Sequence, residues 1–355
     1  MVGTEHCSVP TTVIFNYMSE YISGKKNILV TGGAGFIGSH LCEHLLREGH
    51  HVICLDNFIT SHPRNLEGLS ANPDFQFLRL DINQPFDLES FKELAAFKIP
   101  FQGVQEIYHL ACPMSIKNFD QFKIQTLLAN SVGNYHVLEA AVKYRAKALL
   151  ASSSVIYGPR SETRKIFHED DLGCVAHLTP RGCYDEGRRF SETMFETYHQ
   201  VHGLNTKIAR VFRTYGPRMP LFDAQLIPDF ILNALENKDL VIYGHEDFTT
   251  SLCHVNDVVD GLIRIMKAPE GLGPVNLGSE IDIKMAEVAK MIIQMTGSSS
   301  QIKFDSGLLF LTELGLPDIA RAKELGWIPL TRLEDGLRKT VEYIKANKIL
   351  LTTLE

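Results

Sequence analysis

The stretch Lys26-Asn27-Ile28-Leu29-Val30-Thr31-Gly32-Gly33-Ala34-Gly35-Phe36-Ile37-Gly38 is an apolar run that ends in a cluster of glycines. A helical pattern of apolar residues begins at Ile37 and closes at Gly49. A second apolar run, 51–55, then ends at Asp56. Strand, glycine turn, helix, strand and acid follow one another within about thirty residues, which is the order that a dinucleotide-binding unit requires. The stretch therefore predicts a Rossmann fold.

The glycine turn also predicts a site for a pyrophosphate. Glycines let the backbone approach the ligand closely, and the first turn of the following helix supplies N–H donors and a positive dipole end. Asp56 is expected to accept a hydrogen bond from the adenosine ribose 2′-hydroxyl and to repel a 2′-phosphate, so that NAD is favoured over NADP. The cofactor contacts predicted in this part of the chain are Gly32, Gly35, Phe36, Ile37, Gly38, Asp56 and Asn57.

Strand and helix patterns keep alternating beyond this unit. Strands are predicted over 75–80, 104–111, 148–154 and 205–212, and helices over 88–97, 121–144 and about 185–202. Repeated β-α units predict an α/β fold with a doubly wound parallel sheet whose ligands lie at the carboxyl ends of its strands. Asp81, Ala111 and Ser153 fall at such ends.

The regular alternation loosens after Gly216-Pro217-Arg218. Helices are predicted over 227–235, 258–266 (capped by Asn256) and 333–346, with a short strand over 240–243, and their spacing does not continue the parallel sheet. We expect a smaller C-terminal α+β substrate lobe. The predicted division is an N-terminal extension over 1–25, an NAD-binding domain over 26–180, and a segment over 181–350 that shares a helix and strand with the sheet and forms the lobe.

Composition limits the classes of function. The 355 residues are 45% hydrophobic and 22% charged, with a formal net charge of −7, which is typical of a soluble globular protein and argues against nucleic-acid binding. Residues 1–24 contain neither a convincing signal peptide nor a membrane span. The seven cysteines form no C-x-x-C pair, so we expect a reduced, cytoplasmic protein without a metal site.

Tyr184 and Arg188 are the chemically suggestive pair of the chain. They stand four residues apart at the start of a predicted helix and thus on one face of it. A phenol beside a permanent cation ionises more easily and is a candidate general base for an alcohol or sugar hydroxyl. A packed tyrosine next to a solvated arginine is the alternative interpretation, and the pair alone does not exclude it.

Motifs along residues 26–346 resemble those of the extended short-chain dehydrogenase/reductase family, and within it the UDP-glucuronate decarboxylases. The N-terminal motifs are TGGAGFIG at 31–38, LDNF at 55–58, HLA at 109–111 and LASSS at 150–154. The later ones are CYDEG at 183–187, GPRM at 216–219 and PVNLG at 274–278. The similarity thus extends over most of the chain.

The resemblance implies an activity and a set of site residues. Bound NAD would oxidise C4 of a nucleotide sugar, the C5 carboxylate would leave as CO₂, and the ketone would be reduced again. Tyr184 would be the base, Ser153 would polarise the C4 oxygen, and Arg188 would replace the family lysine that holds the nicotinamide ribose. A homodimer formed by a four-helix bundle is also implied. Further implied contacts are Asp81, Ile82, Leu110 and Ala111 for the cofactor, and Arg213, Arg218, Val241 and Tyr243 for the substrate.

Several positions depart from the family pattern. Arg188 stands in place of lysine, Val155 in place of a glutamate, and Arg213 in place of an asparagine. Thr250 stands where an arginine is expected, and the basic residues expected before Pro317 are Leu314, Gly315 and Leu316. The cofactor half of the pattern is thus intact, whereas the substrate half is altered.

Three hypotheses of function follow from this contrast. The first is a working NAD-dependent enzyme that modifies a nucleotide sugar, as UDP-glucuronate decarboxylase does. The second is a catalytically degenerate NAD(H)-binding regulatory or scaffold protein. The third is an enzyme of the same family retuned to a substrate that lacks a diphosphate. The sequence alone leaves the first two level.

Overall fold

A computed structural model describes residues 24–114, 119–221, 223, 225–305 and 314–352. The extension predicted over 1–25 lies outside these residues apart from its last two, and so does Cys7. In the described part of the chain, no helix combines the length and the apolar character that crossing a membrane requires.

The core of the fold is a parallel sheet of seven strands in the order β7-β6-β5-β4-β1-β2-β3. Its first six strands follow the order 3-2-1-4-5-6 of a dinucleotide-binding sheet. The predicted doubly wound fold is thereby confirmed. The strands are β1 Asn27–Thr31, β2 His51–Asp56, β3 Phe75–Arg79, β4 Glu106–His109, β5 Lys147–Ser153, β6 Thr206–Val211 and β7 Pro274–Leu277.

The helices cover both faces of this sheet and bury its apolar side chains. Because successive strand residues point to opposite faces, Ile28 and Val30 belong to one core cluster and Leu29 to the other. The helices are α1 Phe36–Arg47, α2 Lys123–Leu128, α3 Asn134–Tyr144, α4 Gly182–His202, α5 Leu226–Leu235, α6 Val255–Lys267, α7 Met285–Thr296, α8 Ala320–Glu324 and α9 Leu333–Thr352, with one further helical turn at Ile99–Gln102. Helices α1 and α6 cover the first face, and α3 and α4 the second.

The helix predicted over 121–144 is present over most of that range, but it is not a regular α-helix throughout. A 3₁₀ turn, Phe119–Phe122, precedes α2, and a π-helical segment, Ala129–Gly133, separates α2 from α3. Within that segment the Asn130 amide donates to the Thr126 carbonyl at 2.8 Å. A π-helical segment inside a helix frequently accompanies a functional site, and this one lies beside the catalytic candidates described below. The amphipathic helix predicted over 88–97 also proves to be two 3₁₀ helices, Leu88–Ser90 and Lys92–Phe97.

The expectation that the parallel alternation stops after residue 218 is also wrong. Strand β7 lies parallel to β6, with Val275 opposite Ala209, and extends the sheet by one strand. Helix α6, which makes the crossover, begins at Val255 rather than 258. Its cap is not Asn256 but His254, whose Nδ1 accepts from the Asn256 N–H at 3.3 Å.

A separate core in the C-terminal part of the chain forms the predicted smaller lobe. Helices α5, α7 and α9 share a core that includes Ile231, Ile292 and Leu337. Strand Leu240–Tyr243 pairs with Ile302–Asp305 in this region. Three two-residue pairs complete the structure: Thr214–Tyr215 with Cys253–His254, Thr249–Thr250 with Ile283–Lys284, and Ile166–Phe167 with Leu316–Pro317. The division of the chain at residue 180 stays a prediction.

Candidate functional site

A cleft of about 370 Å³ opens at the carboxyl ends of the sheet strands, within the size range of small-molecule sites. The lining includes the glycine turn, the ends of several strands and the first turn of α4. Every residue predicted to contact the cofactor or to take part in catalysis lies along it: Gly32, Gly35, Phe36, Ile37, Gly38, Asp56, Asn57, Asp81, Ile82, Leu110, Ala111, Ser153, Tyr184 and Arg188.

The glycine turn is built so that backbone atoms approach one another closely. Gly32 has φ +71°, and a Cβ there would lie 2.8 Å from the Ala111 nitrogen. A Cβ on Gly38 would lie only 2.1 Å from the Gly32 oxygen. Helix α1 follows at once, with no acidic residue in its first turn. Free N–H groups and a positive helix end without a competing carboxylate fit the pyrophosphate of a dinucleotide.

Asp56 ends β2 at the far side of this turn. Its carboxylate accepts hydrogen bonds from the Ala34 N–H at 3.1 Å, the Phe58 N–H at 2.8 Å and the Ser61 hydroxyl at 2.7 Å. These bonds fix the orientation of the carboxylate at the edge of the cleft. Ser61 also lines the cleft. Its contact with Asp56 could not be recognised from the sequence, because it depends on the loop that follows β2.

Tyr184 and Arg188 lie on the buried side of α4. The helix begins at Gly182, three residues earlier than predicted, so that Tyr184 falls within its first turn. Tyr184 is 6% exposed and Arg188 5%, and the guanidinium carbon lies 5.4 Å from the centre of the phenol ring. The Arg188 Nε has no hydrogen-bond partner among the described residues. Arg188 is therefore a buried cation, and the alternative of a solvated arginine does not apply.

A chain of buried hydrogen bonds holds this part of the site together. His109 bonds to the Thr31 hydroxyl through Nδ1 at 2.6 Å and to the Asn134 side-chain oxygen through Nε2 at 2.7 Å. The Asn134 amide donates to Ser191 on α4 at 2.8 Å. Burial lowers the pKa of His109 to about 4, so its ring stays neutral near neutral pH. The network fixes α3 and α4 against β1 and β4, a role that local sequence patterns did not predict for His109.

A second polar cluster fixes Ser153 relative to α4. Glu192 on α4 accepts from Arg210 of β6 at 2.8 Å and from Ser152 of β5 at 2.5 Å. The neighbouring Ser153 ends β5, where its Oγ accepts from the Val155 N–H at 3.4 Å. Because both strands are tied to the helix that carries Tyr184, Ser153 and Tyr184 are held along the same cleft.

The substrate side of the cleft is largely apolar near Tyr184. Val155 and Tyr184 form a cluster against which Cys112, Cys183 and Leu314 pack. The glutamate expected at position 155 and one of the basic residues expected before Pro317 are thus replaced by side chains that contribute to one apolar surface. We call this surface, Val155 with Leu314, the apolar wall.

The structure separates the four predicted substrate contacts. Arg213 lines the cleft, whereas Arg218, Val241 and Tyr243 do not. Arg218 has φ +66° and donates to Glu43 on α1 at 2.6 Å. Val241 and Tyr243 lie on a strand of the smaller lobe. Thr250 is buried and lies outside the lining, and its hydroxyl donates to the Ser251 carbonyl at 3.5 Å.

Comparison with known sequences identifies relatives of high similarity. The chain is 38% identical over 323 residues to UDP-glucuronic acid decarboxylase 1 of Xenopus tropicalis, a match that covers 90% of this chain and 72% of the relative. It is 36% identical over 324 residues to UDP-glucuronic acid decarboxylase 5 of Arabidopsis thaliana, covering 90% and 89%. The resemblance to the UDP-glucuronate decarboxylases is therefore confirmed.

A solved structure and a family model also relate the chain to proteins that bind NAD. The UDP-glucuronic acid 4-epimerase of Bacillus cereus, solved in complex with NAD, matches 90% of this chain and 99% of its own length, with a TM-score of 0.75 and 28% identity. Residues 28–278 match the model of the NAD dependent epimerase/dehydratase family, and this range contains the glycine turn, Ser153, Tyr184 and Arg213. The chain belongs to the NAD dependent epimerase/dehydratase family.

Proposed function

We propose that this protein is an NAD-dependent enzyme that acts on a sugar nucleotide in the manner of its decarboxylase relatives, with UDP-glucuronic acid as its substrate. One observation carries the proposal. Tyr184, Ser153 and Arg188 lie along the same cleft as the glycine turn and Asp56, so that cofactor and catalytic candidates share one site. Bound at the glycine turn and Asp56, NAD would supply the hydride acceptor for C4 of the sugar and the hydride for its re-reduction.

In this proposal Tyr184 removes the proton of the C4 hydroxyl. Its ring lies in the electric field of the Arg188 guanidinium, 5.4 Å away, and a positive charge interacts favourably with a phenolate. Arg188 also offers its unpartnered Nε to the cofactor ribose. A planar guanidinium has a different donor geometry from the ammonium of a lysine, so the ribose contact would differ in detail from that of the family.

Ser153 is proposed to hold the reacting oxygen. Its Oγ already accepts a hydrogen bond from the Val155 N–H, which leaves the hydroxyl hydrogen to donate to the substrate oxygen at C4. Ser153 and Tyr184 would then hold the C4 ketone while the carboxylate on C5 leaves as CO₂. The ketone oxygen receives negative charge in that step, and two hydroxyl donors stabilise such charge in a low-dielectric site.

The apolar wall favours a second candidate function. A carboxylate that faces Val155 and Leu314 gains no hydrogen bond from them, and burying a charge without a partner is unfavourable. A protein that binds NAD(H) but does not turn over UDP-glucuronic acid, and so acts as a regulator or scaffold, is consistent with that surface. The two candidates make opposite predictions for a single assay.

The purified protein with NAD⁺ and UDP-glucuronic acid is expected to release CO₂ and UDP-xylose without net accumulation of NADH, because the hydride is returned in each cycle. Substrate carrying ¹³C in its carboxyl group allows the label to be followed by NMR, and chromatography quantifies the nucleotide sugar. Saturable NAD binding together with unchanged UDP-glucuronic acid would contradict the first candidate and favour the second. UDP-glucose, which has no carboxylate, serves as the matched substrate control.

We further propose that the chain forms a homodimer through α2, α3 and α4. Large apolar side chains are exposed on these packed helices and on the segment between α2 and α3: Ile124, Leu127, Leu128, Val132, Tyr135, Phe190 and Val201. Phe190 is 50% exposed and Ile124 64%. Large apolar side chains exposed on adjoining helices are typical of protein–protein interfaces.

Substitution of Phe190 by Asp is expected to convert the dimer to a monomer, because a charge at a buried apolar interface loses its hydration without gaining a partner. Light scattering after size-exclusion chromatography would show a mass about twice the 39.8 kDa of one chain for the natural protein and about one chain for the variant. The matched control is Phe101→Asp, since Phe101 is 91% exposed on a different part of the surface. An unchanged mass for Phe190→Asp would exclude this face as the interface.

A cytoplasmic location is also proposed. Six cysteines lie in the described part of the chain, and all six are free thiols. Cys42, Cys54 and Cys253 are buried in the core. Free thiols are typical of proteins from reducing compartments.

A further inference from the structure

Arg213 is an arginine without a partner inside the cleft. Its backbone is fixed between β6 and Thr214–Tyr215, where its carbonyl accepts from the Cys253 N–H at 3.0 Å. Its half-buried side chain makes no hydrogen bond or ion pair with any residue of the described ranges, although it lines the cleft. A cation removed from water without a counter-charge is unfavourable, so the position calls for an anion from outside the chain.

The surroundings of Arg213 make the binding of an anion beside it more favourable. Burial, and to a smaller extent the charge of Arg181, lower the pKa of Arg213 to about 10. Arg181 also lines the cleft, but it donates to Asp185 at 3.2 Å and is partly neutralised there. Even at the lowered pKa Arg213 stays charged near neutral pH, so the two arginines together retain positive charge.

Charge is distributed unevenly along the cleft. The acidic residues of its lining are Asp56 and Asp81, which follow or end β2 and β3 beside the glycine turn. The arginines of its lining belong to other elements: Arg181 precedes α4, Arg188 lies on α4, and Arg213 follows β6. Arg188 is adjacent to Tyr184 and Arg181 donates to Asp185, so Arg213 is the arginine of the lining that is available to the substrate half.

We propose that Arg213 anchors the diphosphate of the sugar nucleotide and so determines which substrates bind. This inference rests on the proposed function, since it assigns a residue to the substrate of that same site. A guanidinium forms paired, charge-assisted hydrogen bonds with phosphate oxygens, which an asparagine at this position does not. The other positions at which the family pattern provides cations do not supply them here, because Thr250 is buried outside the cleft and Leu314 belongs to the apolar wall.

Binding measurements on the NAD-loaded protein test this assignment without requiring turnover. Isothermal titration with UDP, UMP and uridine separates the phosphate contribution from that of the nucleoside. Replacing Arg213 by Asn is expected to weaken UDP binding by about 10- to 100-fold, the loss of one or two hydrogen bonds to a charged group, and to change uridine binding by less than about 2-fold. Arg213→Lys keeps the charge but not the forked donor geometry. Its UDP affinity is expected to lie between those of the natural protein and Arg213→Asn.

Two controls make the outcome decisive. Arg264→Asn removes an exposed arginine that pairs with Asp260 on the surface of α6 and should leave UDP binding unchanged. Thermal unfolding of each variant shows whether the fold is retained. UDP affinity of natural strength in Arg213→Asn, or an equal loss for UDP and uridine, would overturn the assignment. Because the titration needs no catalysis, its outcome does not depend on the outcome of the decarboxylation assay.

Discussion

Replacing Tyr184 by Phe is expected to reduce turnover of UDP-glucuronic acid by about 10²- to 10⁴-fold, the usual contribution of a positioned proton-transfer group. The six-membered aromatic ring, which packs against Val155, remains in the variant, so the apolar cluster around it is preserved. Only the hydroxyl is lost, and with it the acceptor for the C4 proton. NAD affinity is expected to change little, because the glycine turn and Asp56 lie in other elements of the cleft.

The kinetic signature distinguishes a chemical role for Tyr184 from a structural one. A lost proton acceptor lowers kcat with a small change in KM, whereas a distorted pocket raises KM and lowers the unfolding temperature. Tyr144→Phe is the matched control, since the Tyr144 hydroxyl donates to Glu89 at 3.4 Å on the surface and Tyr144 lies outside the cleft lining. If Tyr184→Phe turned over substrate at the natural rate, Tyr184 would not be the base.

The fold was predictable where local patterns and global structure agree. The glycine turn admits no side chain at Gly38, and the buried strands read as continuous apolar runs, so both could be recognised without a structure. The π-helical segment Ala129–Gly133 was not recognisable, because it depends on contacts between Asn130 and residues from other parts of the chain, among them Cys112 and Ser191. Strand β7 escaped prediction because it is short and far in sequence from β6.

For the same reason, the cofactor part of the candidate site was easier to predict from the sequence than the substrate part. The predicted cofactor contacts follow the ends of consecutive strands, where sequence order and spatial order coincide. The predicted substrate contacts come from two loop positions and from a strand of the smaller lobe, and whether such residues reach the cleft depends on tertiary packing. Arg218 is an example. It has a left-handed backbone, its side chain forms an ion pair with Glu43, and it does not line the cleft. His109 illustrates the opposite case, a residue within a recognised motif whose buried bonds to Thr31 and Asn134 only the structure reveals.

The departures from the family pattern are connected in space. Val155 and Leu314 are 159 positions apart in the numbering, yet Leu314 packs against the cluster that Val155 forms with Tyr184. Two polar-to-apolar changes that meet on one surface form a coherent packing arrangement. Arg213 compensates in charge on the same cleft. Under the proposed function, the substrate would meet Arg213 and the apolar wall in place of the several cations that the family pattern implies.

Replacing Gly38 by Ala is expected to weaken NAD binding by more than about 100-fold. The added Cβ would lie 2.1 Å from the Gly32 oxygen and 2.8 Å from the Gly33 Cα, and both are backbone atoms that no side-chain rotation can move away. Helix α1 must then shift away from the glycine turn, and its first N–H groups lose their alignment with the pyrophosphate. Two lost hydrogen bonds to a charged group, at about 1.5–3 kcal/mol each, account for a change of this size.

The same substitution is expected to lower the free energy of unfolding by about 1–3 kcal/mol, the usual range for overpacking. Chemical denaturation without cofactor measures that loss, and titration with NAD measures the binding loss in the fraction that stays folded. Gly68→Ala is the matched control, because a Cβ there meets nothing within 4 Å and its backbone is not left-handed. If Gly38→Ala bound NAD as tightly as Gly68→Ala, the pyrophosphate would not bind at the glycine turn. A Cβ at Gly38 cannot be accommodated unless α1 moves, and that movement would weaken any ligand bound there.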